Sequence, residues 1–256
     1  MKEEVEINER DYVNSLARGL EVIRAFKRDR PQMTLTNIAE ETGMTRASAR
    51  RFLLTLVQEG YAEKEGNYFN LKPKILELGY SALSSMNMLE VIQPIINDMS
   101  KELNESVFVA VLTGHDVIYI ARATVDRRIS IGITVGNRGP AYGTSTGRVL
   151  LAGESEKAFE QYLSEVKMEL HTPTTITSKE KLREVVQKVR EDGYSMVDQE
   201  MEPGLRSISV PIYRGGSKVI AALNVCCPAS RISMEYMESE ILGVLQRTSE
   251  QISSCL

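Results

Sequence analysis

The 256-residue sequence predicts an α+β fold in two parts: an N-terminal helical unit closed by a β-hairpin, then a larger part with a mostly antiparallel sheet flanked by helices. Two observations predict this division. Up to Val57 the apolar residues recur with the 3.6-residue period of helices, and after Ser106 they follow the pattern of strands. In the larger part, strands, helices, further strands and a last helix follow one another, which is typical of helices packed against one sheet.

The composition excludes several function classes. Hydrophobic residues make up 42% of the chain and charged residues 26%, which is ordinary for a globular protein. No run of about 18 apolar residues occurs and the N-terminus is polar and acidic, so we expect neither a membrane span nor a secretory signal. Three cysteines without metal-ligand spacing and two histidines argue against a metal site. We therefore expect a reduced, cytoplasmic protein without metal or cofactor.

The first predicted helix spans residues 13–26. Its apolar stripe is expected to consist of Leu16, Leu20, Ile23 and either Ala17 or Phe26. The pattern ends at residues 28–31, where charged residues precede a proline that breaks the helix.

Residues 34–57 have the pattern of a helix-turn-helix. Two short amphipathic segments meet at Gly43, and Thr45 occupies the N-cap position of the second. The apolar face of the second segment leaves arginines on the opposite side, and it comprises Ala49, Phe52, Leu53 and Leu56. An ordinary helical hairpin with solvated arginines has the same pattern, so this segment alone leaves both interpretations open.

The residues that follow favour the helix-turn-helix. Gly60 occupies a C′ position, and Gly66-Asn67 joins residues 62–65 to residues 68–71 as a hairpin, which is the wing of a winged helix-turn-helix. Residues 10–74 carry 12 Lys and Arg against 8 Asp and Glu, hence +4, which leaves −8 for the remainder of a chain with net charge −4. We predict that this unit binds operator DNA through Thr34, Thr36, Thr45, Arg46, Ser48, Arg50, Arg51, Lys64 and Tyr68.

The chain is expected to have three segments. They are a winged helix-turn-helix over residues 10–72, a linker helix over residues 73–87 and a C-terminal domain over residues 88–256. The linker helix has an apolar face, which packs either on its own body or against a second subunit, and the residues alone leave both alternatives open.

The C-terminal domain is predicted to contain both strands and helices. Strands are predicted over residues 107–112, 117–121, 128–135, 194–197, 206–213 and 219–226. Helices are predicted over residues 89–103, 145–151, 156–165, 179–192 and 234–252.

Residues 135–152, VGNRGPAYGTSTGRVLLA, contain the first candidate site. A glycine-rich loop leads into a helix that begins near Ser145. Thr144, Ser145 and Thr146 place hydroxyl groups and unpaired backbone N–H groups at the helix N-terminus, which is a favourable place for a carboxylate or phosphate. The same residues can also serve only as a helix cap, and the spacing is not that of a P-loop.

Small polar side chains on two later strands form a second candidate site. Ser207 and Ser209 point to one side of their strand, and Asn224 and Cys226 point to one side of the next strand. Such groups are costly on a buried face unless something bonds to them. A bound small molecule, ordered water or the side chains themselves would each meet this requirement.

Six blocks of the sequence resemble the IclR family of bacterial transcription regulators. They include LTNIAEETGMTRASARRFLLTLVQEGYAE, VIYIARATVDRRISIGITVGNRGPAYGTSTGRVLLA and VIAALNVCCPASRIS. The resemblance implies a winged helix-turn-helix followed by a GAF-like effector-binding domain, here residues 88–256, in dimers or dimers of dimers to which the linker helix contributes. For this reason alone we favour packing of the linker helix against a second subunit. It also implies a small organic acid bound near Gly143, Thr144, Ser145, Thr146, Gly147, Asp198, Leu205, Ser207, Asn224 and Cys226, to which the strand pattern adds Ser209.

Three segments are particularly similar to regulators of protocatechuate and β-ketoadipate metabolism. They are residues 135–152 and the two strand segments RSISVPI and VIAALNV. In the glyoxylate-shunt member of the family the last two strand positions are serines, whereas here they are Asn224 and Cys226. The ligand of that member therefore does not carry over.

Two functions follow from these observations. The first is a ligand-responsive transcription regulator that binds operator DNA as a dimer or tetramer and senses a small organic acid, which the resemblance makes aromatic-derived. The alternative is a thiol enzyme or sensor using Cys226 or Cys227, with the helix-turn-helix as a protein-interaction module. A buried cysteine on a strand is more often inert packing, and an enzyme does not need a basic recognition face. We therefore expect a regulator without enzyme activity.

Overall fold

The computed structural model describes residues 11–27, 30–78, 88–125 and 132–256. Its contacts divide the chain into two compact units, Met1–Ser85 and Met86–Leu256, and each is described by itself. The predicted linker helix begins as a 3₁₀ turn at Pro73–Leu76 instead of an α-helix, and residues 79–87 of it lie outside the described residues. That helix therefore stays a prediction.

The N-terminal unit is the predicted winged helix-turn-helix. Its helices are α1 (Asn14–Ala25), α2 (Leu35–Glu41) and α3 (Arg46–Gln58). Its strands β1 (Gln32–Thr34), β2 (Ala62–Glu65) and β3 (Tyr68–Leu71) form a sheet in the order β1-β3-β2. Strand β1 was not predicted, because three residues are too few to establish an alternating pattern.

Local signals explain where the helices of this unit begin. The Thr34 hydroxyl accepts from the backbone N–H of Asn37 at 3.3 Å as the cap of α2, and the Thr45 hydroxyl accepts from Ser48 at 3.2 Å as the cap of α3. Gly43, with φ +63°, makes the turn between them. The predicted face of α3 is confirmed, since Ala49 and Leu53 are fully buried.

The predicted apolar stripe of α1 is wrong at Leu16 and Leu20, whereas Phe26 packs against the core as predicted. Leu16 is 64% exposed and Leu20 is 42% exposed, whereas Val22 and Ala25 are buried. The core of this unit is small and contacts only the C-terminal turns of α1. The residues buried there are therefore not all members of the apolar stripe predicted along the whole helix.

The wing has the predicted geometry. Tyr68 pairs with Glu65 across the two-residue loop, and Gly66 at φ +59° has the left-handed conformation that such a loop requires. Gly60, at φ +77°, ends α3 at the predicted C′ position.

The C-terminal unit is built on one antiparallel six-stranded sheet. The strands are β4 (Ser106–Thr113), β5 (Asp116–Ala123), β6 (Arg138–Pro140), β7 (Ser195–Asp198), β8 (Leu205–Arg214) and β9 (Lys218–Pro228). Their spatial order is β6-β5-β4-β9-β8-β7. The helices are α4 (Met88–Leu103), α5 (Ser145–Ala152), α6 (Glu156–Glu165), α7 (Lys179–Asp192), α8 (Met234–Tyr236) and α9 (Leu242–Ser254). The predicted α+β class and its flanking helices are confirmed.

The predicted strand over residues 128–135 is wrong in its described part. Residues 132–135 form no strand, and the edge strand is the short β6 further along the chain. Gly136, at φ +87°, turns the backbone between the two segments, so the alternating pattern cannot continue as one paired strand. Residues 128–131 lie outside the described residues.

The sheet has a separate core on each face. Helices α4 and α9 cover one face around Ile92, Leu223 and Leu245. Helices α5, α6 and α7 contribute to the other core around Phe108, Leu151 and Val186. A π turn at Met237–Ile241 joins α8 to α9 within the predicted last helix. The cavity of this unit lies on the α5 side of the sheet.

Candidate functional site

Basic side chains converge on a groove in the N-terminal unit. The groove has a volume of about 360 Å³, and Arg46 and Arg50 line it from one face of α3 while Lys64 lines it from the wing. Residues four apart lie on the same side of a helix, which explains why both arginines reach it. The remaining walls are Thr34, Leu35, Thr36, Leu54, Asn67 and Phe69.

The other predicted DNA-binding residues lie around this groove. Thr45 and Ser48 form the capped first turn of α3, while Arg51 is exposed and does not line the groove. Tyr68 is 50% exposed at the start of β3. Within the part of the chain that the structure describes, no carboxylate forms an ion pair with any of the four cations, which are Arg46, Arg50, Arg51 and Lys64.

The C-terminal unit contains a cavity of about 410 Å³ at the start of α5. Five of the predicted effector-binding residues line it, namely Gly143, Thr144, Leu205, Ser207 and Cys226. Its other lining residues were not predicted: Tyr119, Gly132, Ile133, Asn137, Arg138, Gly139, Pro140, Val197, Met201 and Glu202. The helix start and the two polar strands, which the residue pattern alone presented as separate candidates, therefore contribute to the lining of one cavity.

A network of small polar groups lies at the floor of this cavity. Strand pairing sets Ser207 opposite Cys226 and Ser209 opposite Asn224. The Ser145 hydroxyl joins them from α5, at 2.9 Å from the Ser207 hydroxyl and 2.8 Å from the Ser209 hydroxyl. These groups thus satisfy one another, which is one of the alternatives that the sequence left open.

Asn224 connects the network on both sides. Its Nδ2 donates to the Ser145 hydroxyl at 3.0 Å and to the Ser209 hydroxyl at 2.9 Å, and its Oδ1 accepts from the Cys226 thiol at 2.9 Å. Three members of the network do not line the cavity, namely Asn224, Ser145 and Ser209. They hold the side chains of Ser207 and Cys226, which do line it.

Three further predicted residues do not line the cavity either. The Gly147 N–H donates to the Thr144 hydroxyl, which caps α5, and an added Cβ at Gly147 would collide with the Ala141 backbone. Thr146 is fully buried. Asp198 accepts from Arg206 at 2.7 Å, and this hydrogen bond lowers the pKa of the Asp198 carboxyl. Gly147 thus contributes to the helix cap and to close packing, Thr146 is part of the packed interior, and Asp198 belongs to an ion pair.

Sequence reasoning missed a buried ion pair beside the cavity. The Arg148 guanidinium donates to both oxygens of Glu200, at 2.8 and 2.6 Å, and its Nε donates to the Tyr142 carbonyl at 2.9 Å. Glu200 also accepts from the Ile176 N–H at 3.0 Å. An arginine directly before the apolar segment VLLA of α5 was the available signal, because a charge is buried only when it is paired.

Burial further favours the protonated forms of two titratable side chains at the floor, which are already neutral at pH 7 at their usual pKa values. It raises the pKa of the Cys226 thiol to about 12, and it raises the pKa of the Tyr119 phenol well above its usual range. Neutral hydroxyl and thiol donors favour an anionic or polar ligand, whereas a protonated thiol is a poor nucleophile.

Two further features bear on the class of protein. Among the residues that the structure describes, no cluster of His, Cys, Asp or Glu side chains could hold a metal ion. In the same residues, every helix is too short or too polar to cross a bilayer.

Comparison with known proteins decides the family. Residues 15–66 match the IclR helix-turn-helix domain, and residues 80–254 match the C-terminal domain of bacterial IclR transcriptional regulators. The chain belongs to the IclR family. It is therefore a DNA-binding transcription regulator and not an enzyme, so the thiol-enzyme alternative is wrong.

Relatives of this IclR-family chain match it along most of its length. The Pca regulon regulatory protein of Pseudomonas putida is 42% identical over 94% of this chain and 84% of its own length. A candidate transcriptional regulator from Rhodococcus sp. RHA1 has a similar crystal structure, with a TM-score of 0.83, 44% identity and coverage of 95% of this chain and 98% of that one.

A third relative was crystallised with a ligand. The inducer-binding domain of an Acinetobacter PobR double mutant, in complex with 3-hydroxybenzoic acid, has a TM-score of 0.62 and 29% identity. The match covers 65% of this chain and 98% of that domain.

Proposed function

We propose that this IclR-family regulator senses a small organic acid, and that aromatic acids are the class it binds. One observation carries the proposal: a cavity of about 410 Å³ is lined by neutral hydroxyl and thiol groups and by apolar side chains, with Arg138 and Glu202 as its charged members. Small-molecule sites commonly have this composition. The 3-hydroxybenzoic acid complex of the PobR domain and the similarity to a Pca regulator support the aromatic class.

The carboxylate is proposed to lie against the start of α5. Backbone N–H groups of the first helical turn have no partner within the helix, and the helix dipole favours negative charge there. Thr144 and Ser207 line the cavity beside this helix end, and Tyr119 adds a neutral phenol. The ring of the acid would then contact the apolar side chains of Ile133, Val197 and Leu205.

The response to the acid is proposed to act on DNA binding through a homodimer or a dimer of dimers. A dimer sets two recognition helices about one turn of DNA apart, so a change in subunit geometry alters the affinity for operator DNA. Such coupling requires that the acid bind one arrangement better than the other. Arg46, Arg50 and Lys64 are the proposed principal contacts in a cytoplasmic regulator.

Calorimetric titration of the full chain with benzoate, 3-hydroxybenzoate, 4-hydroxybenzoate and acetate tests the proposal. We expect at least one aromatic acid to bind, and Ser207→Val to weaken that binding about tenfold or more, since a lost hydrogen bond to a charged group corresponds to about 1.5–3 kcal/mol. Ser217→Val, in the exposed turn between β8 and β9, is the matched control. Undiminished binding by Ser207→Val would remove β8 from the site.

A further inference from the structure

The loop between β7 and β8, residues 199–204, is held by buried contacts before it reaches the cavity. The Glu200 carboxylate forms the bidentate pair with Arg148, and the Glu200 carbonyl accepts from the Thr175 hydroxyl. The Gln199 side chain accepts from the N–H of Gly204 at 2.9 Å, which closes the loop on itself. The backbone on either side of Met201 therefore has a defined position.

Met201 projects from this loop onto the start of α5. It lines the cavity, and the three atoms nearest to a Cβ added at Gly143 are all in its side chain, with Sδ in collision. Gly143 has no positive φ, so its backbone would accept alanine. The thioether therefore occupies the space that a side chain at Gly143 would take, immediately before the cap residue Thr144.

We infer that Met201 is a specificity-determining residue that limits the size of the acid, an inference that rests on the proposed function. The methionine side chain is flexible and apolar, so it can pack against the ring of an acid. It has no hydrogen-bond donor and only a weak acceptor, so it does not orient the polar substituents of that ring. The anchored loop places Met201 in the cavity lining beside Gly143. The same lining includes Val197 and Leu205, which the ring of the acid is proposed to contact. A ligand can extend toward the loop only as far as the methionine permits.

Titration with benzoate and 2-naphthoate tests this inference, because the two acids differ by one fused ring. We expect wild-type protein to favour benzoate, and Met201→Ala to bind 2-naphthoate at least tenfold more tightly than wild type while binding benzoate several-fold more weakly. Met196→Ala is the matched control, since Met196 packs on the opposite face of the sheet. An unchanged ratio of the two affinities in Met201→Ala would overturn the inference.

A second pair of variants tests the contact with Gly143. Gly143→Ala should displace the methionine and weaken benzoate binding about tenfold, whereas the same change in a Met201→Ala background should alter it less than twofold. Equal effects in both backgrounds would overturn the inference while leaving the proposed function intact. If wild-type protein bound none of the acids, including the hydroxybenzoates, the proposed function would fail and the inference with it.

Discussion

At the scale of single residues, the shape of the cavity depends on side chains that do not line it. Arg148 is 2% exposed and holds Glu200, and thereby holds the loop that carries Met201. Replacing a buried ion pair as a whole is often tolerated, but removing one partner leaves an uncompensated charge. The same reasoning applies more weakly to the neutral network of Ser145 and Asn224, whose members retain other partners when one is lost.

Arg148→Met should destabilise the folded chain by about 3–5 kcal/mol, because Glu200 would keep a buried carboxylate without its cation. Urea unfolding followed by circular dichroism measures the change. Adding Glu200→Gln should recover part of the loss. Arg183→Met breaks the exposed pair with Glu160 and should shift the midpoint far less. Equal effects of Arg148→Met and Arg183→Met would mean that burial adds nothing to the Arg148 pair.

At the scale of elements, helix ends coincide with local sequence signals. Ser155 and Ser178 cap α6 and α7, and both helices have the bounds that the sequence predicts. Gly193 ends α7 at φ +78°, which L-residues with a side chain rarely adopt. An added Cβ at Gly193 would meet nothing within 4 Å, so the backbone conformation alone requires glycine there.

Gly193→Ala and Gly243→Ala should change stability in opposite directions. Gly193→Ala should lower the free energy of unfolding by about 1 kcal/mol, because alanine is strained at positive φ. Gly243 lies inside α9, where a Cβ would make only an ordinary contact with Arg247, so Gly243→Ala should raise stability by about 0.5–1 kcal/mol. Urea denaturation of each single variant measures both. If Gly243→Ala instead destabilised the chain, the added methyl group would have to collide with a neighbour, which contradicts the ordinary contact that the structure gives it.

At the scale of the whole molecule, the DNA-binding part of the chain is basic and the C-terminal unit is acidic. Residues 10–74 carry a net +4, whereas residues 86–256 carry 18 Lys and Arg against 22 Asp and Glu, hence −4, so the attraction for phosphate belongs to the winged helix-turn-helix. Binding of this kind weakens as salt rises, because each neutralised phosphate releases counterions. The acidic C-terminal unit contributes no comparable attraction.

Arg50→Ala should make the salt dependence of DNA binding less steep by about one unit of the logarithmic slope. Fluorescence anisotropy with the chain's own upstream intergenic DNA, over a salt series, measures the slope for wild type and variant. Arg247→Ala removes a cation that is 70% exposed in the C-terminal unit and should leave the slope unchanged. If Arg50→Ala also left it unchanged, the groove beside α3 would not be the DNA contact.

Much of the fold followed from the sequence because its signals are local. Amphipathic period and capping residues located α3, α6 and α7, and the glycine at position 66 located the wing turn. Where burial depends on distant neighbours, the same reasoning failed. It assigned Leu16 to the core of a unit too small to cover it, and it extended a strand through the turn at Gly136.

The sequence by itself determined the family, the two units and the residue types at the site. The tertiary structure decided which of those residues meet. Ser145 lies 62 positions from Ser207 and 79 from Asn224, and strand order β4-β9-β8 beneath α5 brings them within hydrogen-bond distance. The pairing of Arg148 with Glu200 and the position of Met201 over Gly143 arise in the same way. Such contacts depend on the packing of the whole unit, which no local period encodes.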